Sequence, residues 1–229
     1  GMRLEKLMPA IFKHHVDIIA ISLDAAHAEM NNHIRRGSDF DFICDTLRKI
    51  VAYKKEHELT SPYMNFVLTA MKSNLDEIPD MIRLAADIGL EEVKVVYLTV
   101  FGEKMLEESL YNSQDEVRKV FNQAAVLGNK LGVKVKLPYI QGEDIAGEKE
   151  HKDCYVAWRD FFFGSDGFVR PCMSTPIKFF KVKEIDDFQK LWNDEKYQMF
   201  RQAINNKGQM SNACQRCYQS SYTNWNKKE

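Results

Sequence analysis

Five cysteines in 229 residues are too few for a disulfide-built scaffold, and the number is odd. Net charge is equally scarce. Lys plus Arg total 32 and Asp plus Glu total 33, so the formal charge is −1 and no overall field draws nucleic acid or anionic lipid. No apolar run approaches the ~20 residues of a membrane span. The opening GMRLEKLMPAIF lacks the long apolar core and small-residue cleavage site of a secretory signal. A cytoplasmic protein that binds neither nucleic acid nor membrane is expected. Glycine-rich loops of the GxGxxG and GxxxxGKS kinds are missing, so nucleotide binding of those two kinds has no support. What is present is an ordinary globular composition, 45% hydrophobic and 28% charged, with enough chain to bury a core.

Residues 16–140 alternate between strand and helix patterns. VDIIAISLD (16–24) is a near-continuous apolar run, the signature of a strand buried on both faces. Phe40, Ile43, Leu47, Ile50 and Val51 then recur at helical spacing, with Ser38 or Asp39 able to cap the helix. YMNFVLT (63–69) reads as the next strand, and SNLDEIPDMIRLAADIG as the next helix, with Asn74 and Glu77 as a capping box and Gly89 at its end. EVKVVYLTV (92–100) predicts a third strand. SQDEVRKVFNQAAVLGNKLG follows as a helix with Ser113 and Glu116 as its box, and VKVKLPYI (133–140) reads as a half-exposed edge strand. Such units make a parallel α/β sheet, either doubly wound or a slice of a β/α barrel. Both architectures place active residues at the C-terminal ends of strands, here Ser22 and Asp24, Thr69, and Tyr97 to Thr99. The plainer reading of Ser22 and Asp24 is a strand-end turn and cap network. His14, His15, His27, His33 and His57 have no ligand spacing, and Cys44 beside an apolar helical stripe reads as a small buried hydrophobe.

Residues 143–153 are charged and without periodicity, and read as a linker between a first domain, 1–142, and a second, 154–229. Four of the five cysteines fall in the second domain, at 154, 172, 214 and 217, together with 15 of the 26 aromatic residues. Their spacing is C-x17-C-x41-C-x2-C. The CxxC sets two thiolates on one tight turn. FFFGSDGFVRP has two apolar stretches around Ser165-Asp166-Gly167, the pattern of a β-hairpin that folds Cys172 back toward Cys154. Three outcomes fit: a [4Fe–4S] cluster, a structural zinc, or reduced core cysteines without metal. A cluster benefits from an apolar shell. Trp158, Phe161, Phe162, Phe163, Phe168, Phe179, Phe180, Tyr218, Tyr222 and Trp225 are candidates for it, while Trp192, Phe200 and Ile204 read as plain helical core.

Two stretches carry a resemblance. AISLDAAHAEMNNHIRRGSDFDFICDTLRKI is similar to the fourth strand and following helix of radical SAM enzymes. CYVAWRDFFFGSDGFVRPCM, DFQKLWNDEKYQMFRQAI and CQRC resemble their C-terminal SPASM/twitch extension, with Gly167 five residues before Cys172 and Leu191-Trp192-Asn193 and Tyr197 to Arg201 matching its helix. The resemblance implies a partial (half) β/α barrel, strands four to six with their helices, followed by a small α+β cysteine-rich domain. It implies that Cys154, Cys172, Cys214 and Cys217 hold one auxiliary [4Fe–4S] cluster for electron transfer or support, as in the shortened twitch form. It implies that Ser22, Asp24 and Arg36 lie on the SAM side of a complete enzyme acting on a peptide or small polar metabolite. The CxxxCxxC loop of the family's reactive cluster is not in this sequence, so the chain alone is expected to be inactive with SAM. A half barrel also leaves strand 16–23 unpaired, which predicts a homodimer along that edge. The alternative, a stand-alone interaction protein with structural zinc on four thiolates, stays open at this point.

Overall fold

The computed structural model describes residues 4–100, 103–140, 153–173, 175–206 and 208–220. The expected linker lies outside the described residues except for Asp153, as do Tyr222 and Trp225. The chain divides into two compact units, Gly1–Glu143 and Asp144–Glu229.

The first unit runs α1 (Leu4–Lys13), β1 (Ile18–Ser22), α2 (Ala28–Ile34), α3 (Phe40–Glu56), β2 (Tyr63–Ala70), α4 (Ile78–Ile88), β3 (Glu92–Tyr97), α5 (Gln114–Leu131) and β4 (Lys134–Lys136). The four strands form one parallel sheet in the order β1-β2-β3-β4, so a mixed α/β architecture is present as the alternation predicts. One face packs against helices. Ile19, Ile21, Met64, Phe66, Leu68, Val93 and Val95 bury against Leu47, Ile50, Met81, Ile82, Val117 and Phe121 of α3, α4 and α5. Each fully buried side chain of this kind contributes about 1.5–3 kcal/mol.

The other face differs from the expected double burial. β1 alternates exposed and buried residues, and Ile18 is 63% exposed. No helix among the described residues covers that side, so its apolar residues keep contact with water. The sequence run is apolar on both faces, but among the described residues only one face meets a layer. At the N-terminal end of the strands this face is polar and closed. Glu92 is buried there, accepting from the Tyr63 hydroxyl at 3.1 Å and pairing with Lys136 at 2.9 Å.

Local differences have local causes. The helix expected at 73–89 begins as a 3-10 turn, Lys72–Glu77, before α4. Asn74 and Glu77 do not cap each other. Asn74 Oδ1 accepts from Met71 N–H and its amide donates to the carbonyls of Asp24 and Thr69, while Glu77 accepts from Ala26 N–H. Ser113 precedes α5 but makes no side-chain cap bond. Asp39 rather than Ser38 caps α3, accepting from Phe42 N–H. Gly89 ends α4 with φ 92°, a left-handed turn that L side chains rarely adopt. α1 and α2 were not expected, although Leu4, Leu7, Met8, Ile11 and Phe12 of α1 recur at helical spacing. β3 and β4 are shorter than the runs that predict them.

The second unit holds α6 (Val156–Arg159), β5 (Phe162–Phe163), β6 (Val169–Arg170), α7 (Phe188–Trp192), α8 (Glu195–Ile204) and α9 (Asn212–Ser220). β5 and β6 form the expected antiparallel hairpin, with Phe162 opposite Arg170. Gly167 takes φ 76° in the turn. Asp166 locks it, pairing with both guanidinium nitrogens of Arg170 at 2.8 and 2.7 Å and with Lys178 at 2.8 Å. The CxxC pair sits on a helix, α9, rather than on a tight turn.

Candidate metal centre

In the first unit, the C-terminal ends of β1 and β2 are tied into one knot. Asp24 is buried. Its Oδ1 accepts from Thr69 N–H at 2.8 Å, its own N–H donates to Asn31 Oδ1 at 3.1 Å, and its carbonyl accepts from Asn74 at 2.8 Å. Arg35 Nε lies 2.7 Å from Asp24 Oδ2, an ion pair whose N–H is not aligned for a hydrogen bond. Asn31 reaches on to Ser38 Oγ at 3.2 Å. The cap network therefore describes Asp24, and Arg35 is the guanidinium at its carboxylate. Ser22 and Arg36 are both exposed, Ser22 on the uncovered face of the sheet. His14, His15, His27, His33 and His57 are exposed as well. Cys44 is buried in the core, and burial pushes its thiol up to about 11, the behaviour of an inert hydrophobe.

In the second unit, three elements bring cysteines together. α8 grips the segment that starts α6. Asn205 Oδ1 accepts from Cys154 N–H at 2.9 Å and its amide donates to Cys154 carbonyl at 3.3 Å. One helical turn earlier, Arg201 Nε donates to Ala157 carbonyl at 3.0 Å. This holds Cys154 against the cluster of Ala157, Phe200, Ile204, Met210 and Cys214, with Ile177 and Phe179 packed alongside. α9 carries Cys214 inward, and Cys217 follows three residues on. Cys217 is exposed, yet desolvation first, then the charges of Cys154 and Cys214, raise its thiol above the ordinary value. Cys172 is half-buried, two residues beyond β6 at the base of the hairpin. None of the five cysteines is in a disulfide.

Most of the expected aromatic shell whose side chains are described lies elsewhere, and the side chain of Tyr218 lies outside the described residues. Phe161, Phe180, Trp192 and Tyr197 pack with Val169 and Leu191 in a separate core between hairpin and helices, and Phe179 bridges the two clusters. Trp158 and Phe163 are exposed. The cysteines are instead lined mainly by aliphatic side chains and methionine. Phe200 and Ile204 are buried as core residues, as their spacing predicts. Asn205 and the grip of Arg201 were not anticipated. An asparagine after a helix has no motif of its own, and its partner lies 51 positions away.

The donor set suits thiophilic metal chemistry. Thiolates crowded in an apolar setting repel one another and are stabilised by a bound cation. Among the described residues no group of three or more His, Cys, Asp or Glu is closed up for a single ion. A cubane spreads its cysteines over different irons, so its ligands stand farther apart than those of one zinc.

Residues 154–218 match the SPASM family, an iron-sulfur cluster-binding domain. No curated protein sequence matches the chain. In fold, the chain is similar to SuiB of Streptococcus suis, with a TM-score of 0.57 at 12% identity over 81% of this chain and 45% of SuiB. The structure of SuiB bound to S-adenosylmethionine matches with a TM-score of 0.54 at 11% identity, over 81% of this chain and 44% of that one. The chain thus spans less than half the length of these structures. The family match assigns a SPASM-type segment to residues 154–218, and the structural matches show a shared fold. Among the described residues no helix is long and apolar enough to cross a membrane.

Proposed function

We propose that this chain is the part of a radical SAM/SPASM oxidoreductase or maturase that carries its auxiliary cluster. Cys154, Cys172, Cys214 and Cys217 hold one [4Fe–4S] cluster of the twitch kind, which supplies electron transfer or structural support when bound. The observation that carries the reading is the packing of Cys154 and Cys214 in one cluster, with Cys217 on the same helix as Cys214, inside the segment that matches an iron-sulfur cluster-binding domain. The hairpin supplies the fourth thiolate. Asn205 and the Ala157 carbonyl bond fix the backbone at Cys154, so the first ligand is held in place before metal arrives.

The parallel sheet with helices on one face is half of a β/α barrel, and its uncovered face is the barrel interior. Ser22 and Arg36 stand on the SAM side, with Asp24 fixing the strand ends beside them. Arg36 is free to meet a carboxylate bidentately. A peptide or small polar metabolite is the substrate of the complete enzyme, which is cytoplasmic, and the β1 edge is a site of homodimerisation. The chain alone does not turn over SAM, because its sequence has no CxxxCxxC.

Anaerobic reconstitution followed by metal and sulfide analysis tests this. Iron with acid-labile sulfide, and no 5′-deoxyadenosine from SAM and reductant, is the expected result. Zinc without sulfide favours the interaction-protein alternative, and formation of 5′-deoxyadenosine overturns the inactive assignment.

A further inference from the structure

Asn205, the residue that follows α8, engages both polar groups of the Cys154 backbone. Its Oδ1 accepts from Cys154 N–H at 2.9 Å, and its amide donates to Cys154 carbonyl at 3.3 Å. A carboxamide offers one acceptor and one donor side by side, which is what this double bond requires. α6 does not do the same for itself. It is four residues long, and its bonds from Trp158 N–H to Tyr155 carbonyl and from Asp160 N–H to Val156 carbonyl do not involve Cys154. Packing of Cys154 with Ala157, Phe200 and Cys214 sets its depth, but apolar contact is non-directional. The chain beyond Asn205 leads to the CxxC helix. Asn206 carbonyl accepts from Gln209 N–H at 2.9 Å and from Met210 N–H at 3.0 Å, and Met210 is buried in the same cluster as Cys214. Ser211 Oγ accepts from Cys214 N–H at 3.3 Å, and the Gln215 amide donates back to Met210 carbonyl at 3.1 Å. Two cysteine backbones that lie far apart in sequence are thus held by Asn205 and Ser211, which share one short connection.

We propose that Asn205 is the positioning residue of the thiolate centre: its carboxamide registers Cys154 against the connection that carries Cys214, and iron uptake depends on it while the fold does not. This rests on the reading of the four cysteines as cluster ligands. A ligand whose backbone swings freely must be ordered when metal binds, and fixing it in advance removes that cost from binding. Metal affinity also falls steeply when the contacts that orient a ligand are lost. The fold has other supports. Without Asn205, Arg201 still bonds the carbonyls of Ala157 and Trp192, and the core around Tyr197 is untouched. Loss of the carboxamide therefore loosens Cys154 rather than the whole unit.

The test uses the full chain, with Asn205→Ala, Asn205→Asp and Asn193→Ala beside the parent. Asn193→Ala is the control, since the Asn193 amide also donates to a backbone carbonyl, that of Gln189 at 2.9 Å, in a bond that involves no cysteine. Hydrogen exchange of the reduced, metal-free chains is followed by mass spectrometry. After anaerobic reconstitution, the chelator concentration that strips half the iron is measured. Asn205→Ala is expected to keep the parent's helix content, to exchange faster over the Cys154 segment, and to release its iron at about tenfold less chelator. Asn205→Asp keeps an acceptor for Cys154 N–H and loses the donor for its carbonyl, so it is expected to fall between the alanine chain and the parent. Asn193→Ala is expected to hold iron as the parent does. An Asn205→Ala chain that holds iron like the parent overturns the proposal, as does a control that releases iron as readily as Asn205→Ala. An aspartate chain weaker than the alanine chain also overturns it, because charge rather than the pair of bonds then governs uptake. If Asn205→Ala does not fold, the aspartate chain decides: parent-like retention overturns the proposal, and weaker retention beside an intact control upholds it. A parent chain that takes up no iron sinks the cluster reading and the proposal with it, an outcome distinct from four chains that load alike.

Discussion

Replacing Asn74 tests the knot that joins the strand ends. Its side chain is 1% exposed and makes three bonds, to Asp24 carbonyl at 2.8 Å, Thr69 carbonyl at 2.9 Å and Met71 N–H at 2.7 Å. Asn74→Ala leaves all three backbone groups without that partner. The fully buried Asp24 carbonyl costs about 1–3 kcal/mol unsatisfied, and the two half-buried groups about 0.5–1 kcal/mol each, for a total of roughly 3 kcal/mol. With a urea dependence of about 2 kcal/mol per molar, the midpoint for the first unit falls by about 1.5 M. Far-UV circular dichroism follows that unit, whereas the three tryptophans, all beyond residue 153, report only on the second. Asn74→Asp sharpens the test. It sets carboxylate oxygen against two carbonyls, so the folded state disfavours the charged form and raises that carboxyl above its unfolded value of about 3.9. A raised folded-state value means the variant is least harmed below pH ~3.9 and loses stability as pH rises through the folded-state value. Asn74→Ala shows no such trend. A loss below about 1 kcal/mol for the alanine variant, or an aspartate variant indifferent to pH, refutes the claim that these bonds tie the two strands.

Two further predictions concern other sites. Burial pushes the Cys44 thiol up to about 11, so in the folded chain at pH 8 Cys44 is the last cysteine alkylated by iodoacetamide; early modification seen by peptide mass mapping contradicts its core placement. Side-chain bonds from Arg170 and then Lys178 hold the Asp166 carboxyl well below the usual carboxylate range. Its contribution to the hairpin is complete above the unfolded value of about 3.9 and is lost as pH falls toward the folded one. The difference in thermal midpoint between the parent and Asp166→Asn, read by tryptophan fluorescence, therefore narrows on acidification; a constant difference contradicts the pairing.

The legible parts of this chain were those whose signal is local. The hairpin follows from apolar pairs around Asp166 and Gly167, and α3 from a stripe that Asp39 caps four residues before Ile43. What stayed hidden depends on partners far along the chain. Asn74 and Glu77 look like a helix start, yet their partners include Asp24 and Ala26, about fifty positions earlier. An apolar run such as residues 16–24 says that a strand forms but not whether a second layer covers it. In the candidate site the four cysteines stood out by spacing, whereas their lining did not. Aromatic residues crowd the same segment, but Phe161, Phe180 and Trp192 pack around Tyr197, Trp158 and Phe163 stay exposed, and Ala157, Ile177, Ile204 and Met210 join Phe179 and Phe200 in the cluster of Cys154 and Cys214. Arg201 was visible as part of a helix pattern, but its bond to the Ala157 carbonyl, 44 positions earlier, was not.

The account turns on four sulfurs sharing one inorganic centre, and Cys172 is the member whose delivery depends on the hairpin. Iron and acid-labile sulfide per chain, measured after anaerobic reconstitution of the parent and of single alanine variants at the five cysteines, tests it most directly. The parent and Cys44→Ala are expected to hold about four of each. Alanine at Cys154, Cys172, Cys214 or Cys217 is expected to cut both sharply. Full loading of the Cys172→Ala chain, or loss on changing Cys44 alone, would contradict the shared centre.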